Sequence, residues 1–278
     1  MSDPNFPPNL DIEPLLLGLT QDTDLDTKQQ RNAIATYGIA GRVWEATRPL
    51  LEYFTPSHCF DPPCSLFLPE SLKPHRIVEL GSGQSVASLH LAGYLDQNDL
   101  IVTTDLPEVI PLCEQSIAAW NPPSTTHARV IAQPLAWGEN PSHLFKYGPF
   151  THILMCDLIY FPNLYPPLLH TLLQLTEPLE PLLAEAETFG PEVILSYTSR
   201  TLALEESFFD SLALYFQTTP VRGGDWEAKV FLCKRWKVTE EWSLPDIKDV
   251  MNGGKGVVRG RSFGLVDDLF GALEWDDD

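Results

Sequence analysis

The chain has 278 residues, 44% of them hydrophobic and 10% aromatic, enough apolar material for one sizeable core with extensions. Its net charge of -20 repels phosphate backbones, so nucleic acid and anionic membranes are not expected partners; a basic protein or cationic ligand suits the field better, and solubility alone is the competing explanation. Five scattered cysteines (Cys59, Cys64, Cys113, Cys156, Cys233) form neither a disulfide framework nor a zinc-spaced set, so no metal is expected. The opening "MSDPNFPPNLDIEP" lacks a charged n-region and an apolar core, and no run of 18 apolar residues exists. A protein of a reducing compartment is the simplest reading.

In chain order, residues 1 to about 30 read as a loose arm. Thr36 to Phe54 ends in helical periodicity, with Val43, Ala46, Leu50 and Tyr53 on one face. A proline-rich insertion at about 55–74 follows. Regular alternation then begins. "HRIVELGSG" predicts a strand ending in glycines, "SVASLHLAGYL" a helix, and "DLIVTTD" a strand ending in Asp105. "PEVIPLCEQSIAAW" predicts a helix, "ARVIAQPLAWG" a strand reaching Trp137, and "FTHILMCD" a strand reaching Asp157. "YPPLLHTLLQL", "EVILSYTSR" and "LALEESFFDSLALYF" predict helix, strand and helix. "QTTPV" and "AKVFLCKRW" predict a terminal hairpin. The last forty or so residues, from Lys237, read as an acidic appendage with a short helix at "GLVDDLFGAL".

Strands alternating with helices predict an α/β fold: a doubly wound, mostly parallel sheet of seven strands, Rossmann-like, with one antiparallel strand added at the edge by the C-terminal hairpin. The expected division is an arm at 1–35, one domain at 36–236 and an extension at 237–278. In such sheets ligands sit beyond the carboxyl ends of the strands. Glu79, Gly81 and Gly83 lie at the first such end. Asp105 ends the second strand, where an acid accepts hydrogen bonds from ribose hydroxyls. The loop "GSGQSV" lacks the third glycine of a dinucleotide fingerprint, which favours a smaller adenosine ligand over NAD. A plain strand-to-helix turn is the other reading.

The segments "GIAGRVWEA", "IVELGSG", "TTDLPEVIPLCEQSI", "PLAWG" and "CDLIYFP" together resemble the seven-β-strand S-adenosylmethionine-dependent methyltransferases, and more narrowly the family that methylates lysines in proteins such as chaperones and elongation factors. The resemblance covers roughly Gly38 to Trp236. It implies S-adenosylmethionine as cofactor, S-adenosylhomocysteine as product, a protein substrate, a monomer, and a cytoplasmic location with the nucleus as a second compartment. It also implies residue roles. Trp44 would lie near the methionine end of the cofactor; Gly81, Ser82 and Gly83 would approach it through backbone, with Glu79 beside them. Asp105 would take the ribose, Trp137 border the adenine, and Cys156 present backbone. Asp157 and Tyr160 would match an acid-x-x-aromatic motif at the mouth of the lysine channel. Two departures stand out: Ser85 where many relatives carry glycine, and Leu135-Ala136 where an acid is common.

Methyl transfer to lysine needs a neutral amine. A carboxylate raises an amine's pKa, so Asp157 reads as an orienter that accepts a hydrogen bond from the amine, not as a simple base. Tyr160 can line the channel with its ring and offer its hydroxyl. Taken singly, Asp157 reads equally as a turn cap, Tyr160, Trp44 and Trp137 as packing aromatics, and Cys156 as a small buried residue. Tyr197 and Arg200, at the end of the next strand, are candidates for the substrate face, with a surface ion pair as the alternative for Arg200. His152, early in its strand, reads as structural. The functional alternatives are a methyltransferase for protein histidine, arginine or a small molecule, and a non-catalytic module that kept the fold.

Overall fold

A computed structural model describes residues 12–15, 27–69, 71, 74–177, 187–224 and 228–259. The helices are α1 (Thr27–Tyr37), α2 (Thr47–Tyr53), α3 (Val86–Ala92), α4 (Ile110–Ala119), α5 (Tyr165–Leu175) and α6 (Leu202–Ala213). The strands are β1 (Arg76–Leu80), β2 (Leu100–Asp105), β3 (Arg129–Pro134), β4 (His152–Cys156), β5 (Thr188–Tyr197), β6 (Phe216–Pro220) and β7 (Lys229–Trp236). They form one sheet in the order β3-β2-β1-β4-β5-β7-β6. β1 to β5 pair in parallel; β7 runs antiparallel to both its neighbours. The expected antiparallel strand therefore exists but is not at the edge: β7 inserts between β5 and β6.

The period-2 geometry of a strand explains the two cores. Val78, Val102, Ile153 and Leu195 face one side, packed with α5 and α6 residues such as Leu168, Leu172, Phe208 and Phe209. Ile77, Ile101, Leu154 and Ile194 face the other, packed with α2 and α3 through Leu50, Leu51, Ala87 and Leu91. A sheet covered on both faces needs strands that are apolar throughout, which is how β1, β2 and β4 read.

Three details differ from the sequence reading. The described part of the arm is tied down. Gln30 is fully buried, and its amide bonds both Leu15 backbone groups (2.9 and 3.0 Å) and accepts from Val43 N–H (3.1 Å). The segment after β7 packs back onto the domain. Trp242 donates to Glu177 Oε1 at 2.6 Å and stacks over the buried Arg235 guanidinium, while Tyr215 donates to Val250 O at 2.8 Å. The helix expected at "GLVDDLFGAL" lies outside the described residues. β3 stops at Pro134, so Trp137 lies on the loop beyond it. Among the described residues, no helix is long and apolar enough to cross a membrane.

Candidate active site

β1, β2 and β4 end side by side, and the chain reverses its order of strand addition between β1 and β4. This switch point is where a ligand-sized crevice is expected. A cavity of about 330 Å³ opens there. Of the residues singled out by the sequence it brings together the β1 end with its glycine loop, Asp105, Trp137, Cys156, Asp157, Tyr160 and, from the entry segment, Trp44, while Tyr197 stays outside it.

The glycine loop is built from left-handed backbone. Gly81 has φ +55°, Gly83 φ +49° and Ser85 φ 58°. At Gly81 the missing side chain makes room: a Cβ would stand 2.7 Å from Leu158 Cδ2 and 3.0 Å from Trp137 Cζ2, both cavity-lining side chains. Ser82 N–H donates to Thr104 O (2.9 Å), tying the loop to β2. Gln84 Nε2 reaches Gly41 O (2.5 Å), tying it to the entry segment, where Trp44 Nε1 donates to Ile39 O (3.0 Å).

Two buried acids lie beneath the loop. Asp105 accepts from Gly83 N–H and Leu106 N–H, each at 2.8 Å. Burial nevertheless pushes its carboxyl up to about 6, with Glu108 adding repulsion. Glu79 is pushed up to about 8 by burial, against the hydrogen bond from Ser88 Oγ. Apolar walls (Leu106, Leu135, Leu158, Trp137), close-approach glycine backbone and one strand-end carboxylate fit a nucleoside-bearing ligand such as S-adenosylmethionine. Leu135 and Ala136, the departure noted in the sequence, are part of that wall.

The other side of the cavity carries the acid-x-x-aromatic stretch. Asp157 sits just past β4 at φ 61°, an unusual conformation for a residue with a side chain and one found where a site fixes a group's direction. Its N–H donates to Ser196 O at 2.8 Å. Tyr160 stacks edge-on against Phe161 (centroids 4.8 Å) and against Trp137 (6.5 Å). Burial and the nearby Asp105 and Asp157 charges push its phenol well above the usual range, so it stays protonated. Burial likewise raises the Cys156 thiol, which faces Thr47 Oγ1 at 3.4 Å and is no nucleophile.

Tyr197 does not reach the site. It is buried in the core and donates to Glu205. Arg200 does reach it, and grips Asp157 with both arms of its guanidinium. Arg42, Thr47 and Gln84 also line the cavity and were not read from the sequence. Arg42 flanks the recognised Trp44 by two residues, the one signal that could have drawn attention to it. His152 bonds Ser65 and Thr151 at the opposite end of its strand.

The family model described as lysine methyltransferase matches residues 20–214. The mouse protein named EEF1A lysine methyltransferase 3 is 30% identical over 141 residues, 51% of this chain and 53% of its own length. Protein-lysine N-methyltransferase EFM6 of Saccharomyces cerevisiae is 26% identical over 66% of this chain and 73% of its own. The zebrafish protein N-lysine methyltransferase METTL21A is 27% identical over 49% of this chain and 55% of its own. The matched region thus spans about half the length of the mouse and zebrafish relatives. Among solved structures, human N-acetylserotonin methyltransferase in complex with SAM aligns with a TM-score of 0.44 at 11% identity, over 76% of this chain and 56% of that one. With the family model covering well over half of its residues, the chain belongs to the lysine methyltransferase family.

Proposed function

We propose that the protein is a protein-lysine N-methyltransferase, and that the elongation factor EEF1A, named in its mouse relative, is the first substrate to test. The same reading takes the enzyme as a monomer acting in the cytoplasm. One observation carries it: Asp157 and Tyr160 border the same cavity as the glycine loop and Asp105, so an acceptor amine at the mouth would face a ligand held at the strand ends.

S-adenosylmethionine, when bound, supplies an electrophilic methyl on a positively charged sulfur. The chain's own contribution is positioning, the dominant requirement of an in-line displacement. Asp105 would hold the ribose hydroxyls, the glycine loop would admit the ligand's backbone-facing edge, and Trp137 would border its base. Asp157 would accept a hydrogen bond from the amine and so aim its lone pair. The Tyr160 ring would exclude water from the path while its hydroxyl remains a donor.

Asp157→Asn tests this assignment. It keeps the shape and removes the charged acceptor, so methyl transfer to EEF1A falls by about 100-fold, while calorimetry finds S-adenosylhomocysteine affinity unchanged. Unaltered transfer would remove Asp157 from the proposed role; lost cofactor affinity would move it to the cofactor's side of the cavity.

A further inference from the structure

The Asp157 carboxylate is already engaged. Its side chain is 0% exposed, and Arg200 Nη1 donates to Oδ1 at 2.9 Å and Nη2 to Oδ2 at 2.5 Å. Arg200 is held from several sides. Its guanidinium lies 5.1 Å from the Trp44 ring centroid and 3.7 Å from Glu45 Oε2. Its backbone N–H donates to Glu205 Oε1 at 3.0 Å, at the start of α6. Glu45 is shared with Arg42, whose Nη2 donates to Glu45 Oε1 at 2.6 Å and which covers Trp44 at 4.3 Å. The titratable groups facing this corner are thus Arg200, Arg42, Glu45, Asp157 and Glu205, with Glu79 and Asp105 deeper in the cavity and both raised by burial; Tyr160 and Cys156 stay neutral.

A lone carboxylate at a lysine site works against the reaction, because it stabilises the ammonium form. At pH 7 only about one free lysine in a few thousand is neutral. A carboxylate bridged by a guanidinium carries no net charge as a pair; Asp157 Oδ1 also accepts from Thr198 N–H at 3.4 Å, which leaves Oδ2 with a lone pair that can accept from an incoming N–H. From this geometry we propose that Arg200 is a positioning residue for the transfer: it cancels the charge of Asp157, so that the carboxylate orients the acceptor amine without holding it protonated. The inference rests on the lysine reading. The neutral amine's lone pair forms the new N–C bond as the methyl C–S bond breaks, with that bond's electrons remaining on sulfur. The alkylated nitrogen then loses a proton to water.

The test uses Arg200→Gln and Arg200→Lys in the full chain, with EEF1A as acceptor. Single-turnover rates are followed from about pH 6 to about pH 10, where they report groups in the bound complex. For Arg200→Gln the midpoint moves up by about 1–3 units, so the rate near neutrality falls by about tenfold or more and recovers at high pH. Arg200→Lys keeps the charge but not the two-armed grip, so it returns the midpoint toward the wild-type value while the plateau rate stays lower. A second readout needs no turnover: calorimetry of EEF1A binding to the enzyme–S-adenosylhomocysteine complex in two buffers of different ionisation heat. Wild type releases protons on binding; Arg200→Gln releases fewer and binds EEF1A more tightly. A uniformly lower profile with an unmoved midpoint and unchanged proton release would reduce Arg200 to a structural residue. A faster Arg200→Gln enzyme would make Arg200 a plug in the amine's seat. Either result overturns the proposal. Failure of the lysine reading itself would appear differently, as no lysine methylation by the wild type.

Discussion

Gly83→Ala probes the glycine loop where it meets the entry segment. Gly83 sits at φ +49°, and a Cβ there would stand 2.7 Å from the Ala40 carbonyl oxygen. Holding alanine in the left-handed region costs about 1–2 kcal/mol. The contact adds about 1–3 kcal/mol, the usual range when a packed site must shift to admit a methyl group. The obstacle is backbone, and that backbone is fixed. Ala40 belongs to the 3-10 turn Gly38–Gly41, which is held by Gln84 on Gly41 O and by the Trp44 indole on Ile39 O. The sum, about 2–5 kcal/mol, is a large share of a typical domain's stability. Urea unfolding of the variant should show a lower midpoint with an unchanged slope. Because the turn forms one wall of the cavity, S-adenosylhomocysteine affinity measured by calorimetry should fall as well. A stability change under about 0.5 kcal/mol, the range of an innocuous surface substitution, with unchanged affinity would refute the reasoning.

Ser85 also occupies left-handed backbone, at φ 58°, so Ser85→Gly should stabilise the protein by about 0.5–1 kcal/mol after glycine's entropic cost; a destabilised variant in urea would show that the side chain contributes more than its strain costs. Cofactor binding should weaken as pH falls through about 6, where Asp105 gains a proton and can no longer accept fully from ribose hydroxyls; a flat calorimetric profile across that range would exclude Asp105 from the contact. The two raised acids also set a stability trend. The folded state holds their protons to higher pH than the unfolded chain does. Thermal stability of the free protein should therefore decline as pH rises from about 4 to about 8 and level off above, and Glu79→Gln should flatten the upper part of that decline.

The strands that build the site were legible because β1, β2 and β4 are buried on both faces and read as short apolar runs. Each stops at a residue that breaks the pattern: Gly81, Asp105 and Asp157. The glycine loop, the strand-end acid and the aromatic after β4 were legible for the same reason, since a crevice at strand ends must be lined by residues at strand ends. What the sequence hid was tertiary. The place of β7 turns on which hairpin strand pairs with β5: its continuous buried run Val230–Cys233 suits an interior strand, while the polar, half-exposed β6 ending in Pro220 suits the edge. Gln30 falls at the end of what reads as a loose arm, yet its amide satisfies backbone groups of two other segments. Tyr197 was assigned to the site from its place at a strand end. Period-2 alternation decides otherwise: Ser196 turns to the entry segment, donating to Ala46 O at 2.6 Å, and Tyr197 turns to the opposite core. Arg200 stands 43 residues after Asp157, and only the fold shows that its flexible side chain reaches back to it.

The central claim is that the acceptor is a lysine side chain of a protein. The most direct measurement incubates the wild-type chain with methyl-labelled S-adenosylmethionine and purified EEF1A, beside an extract of proteins as a second acceptor pool, and locates the label by peptide mass spectrometry. Label is expected on the Nζ of a discrete lysine, absent with Asp157→Asn. Label confined to histidine, arginine or small molecules, with saturable cofactor binding intact, would contradict it.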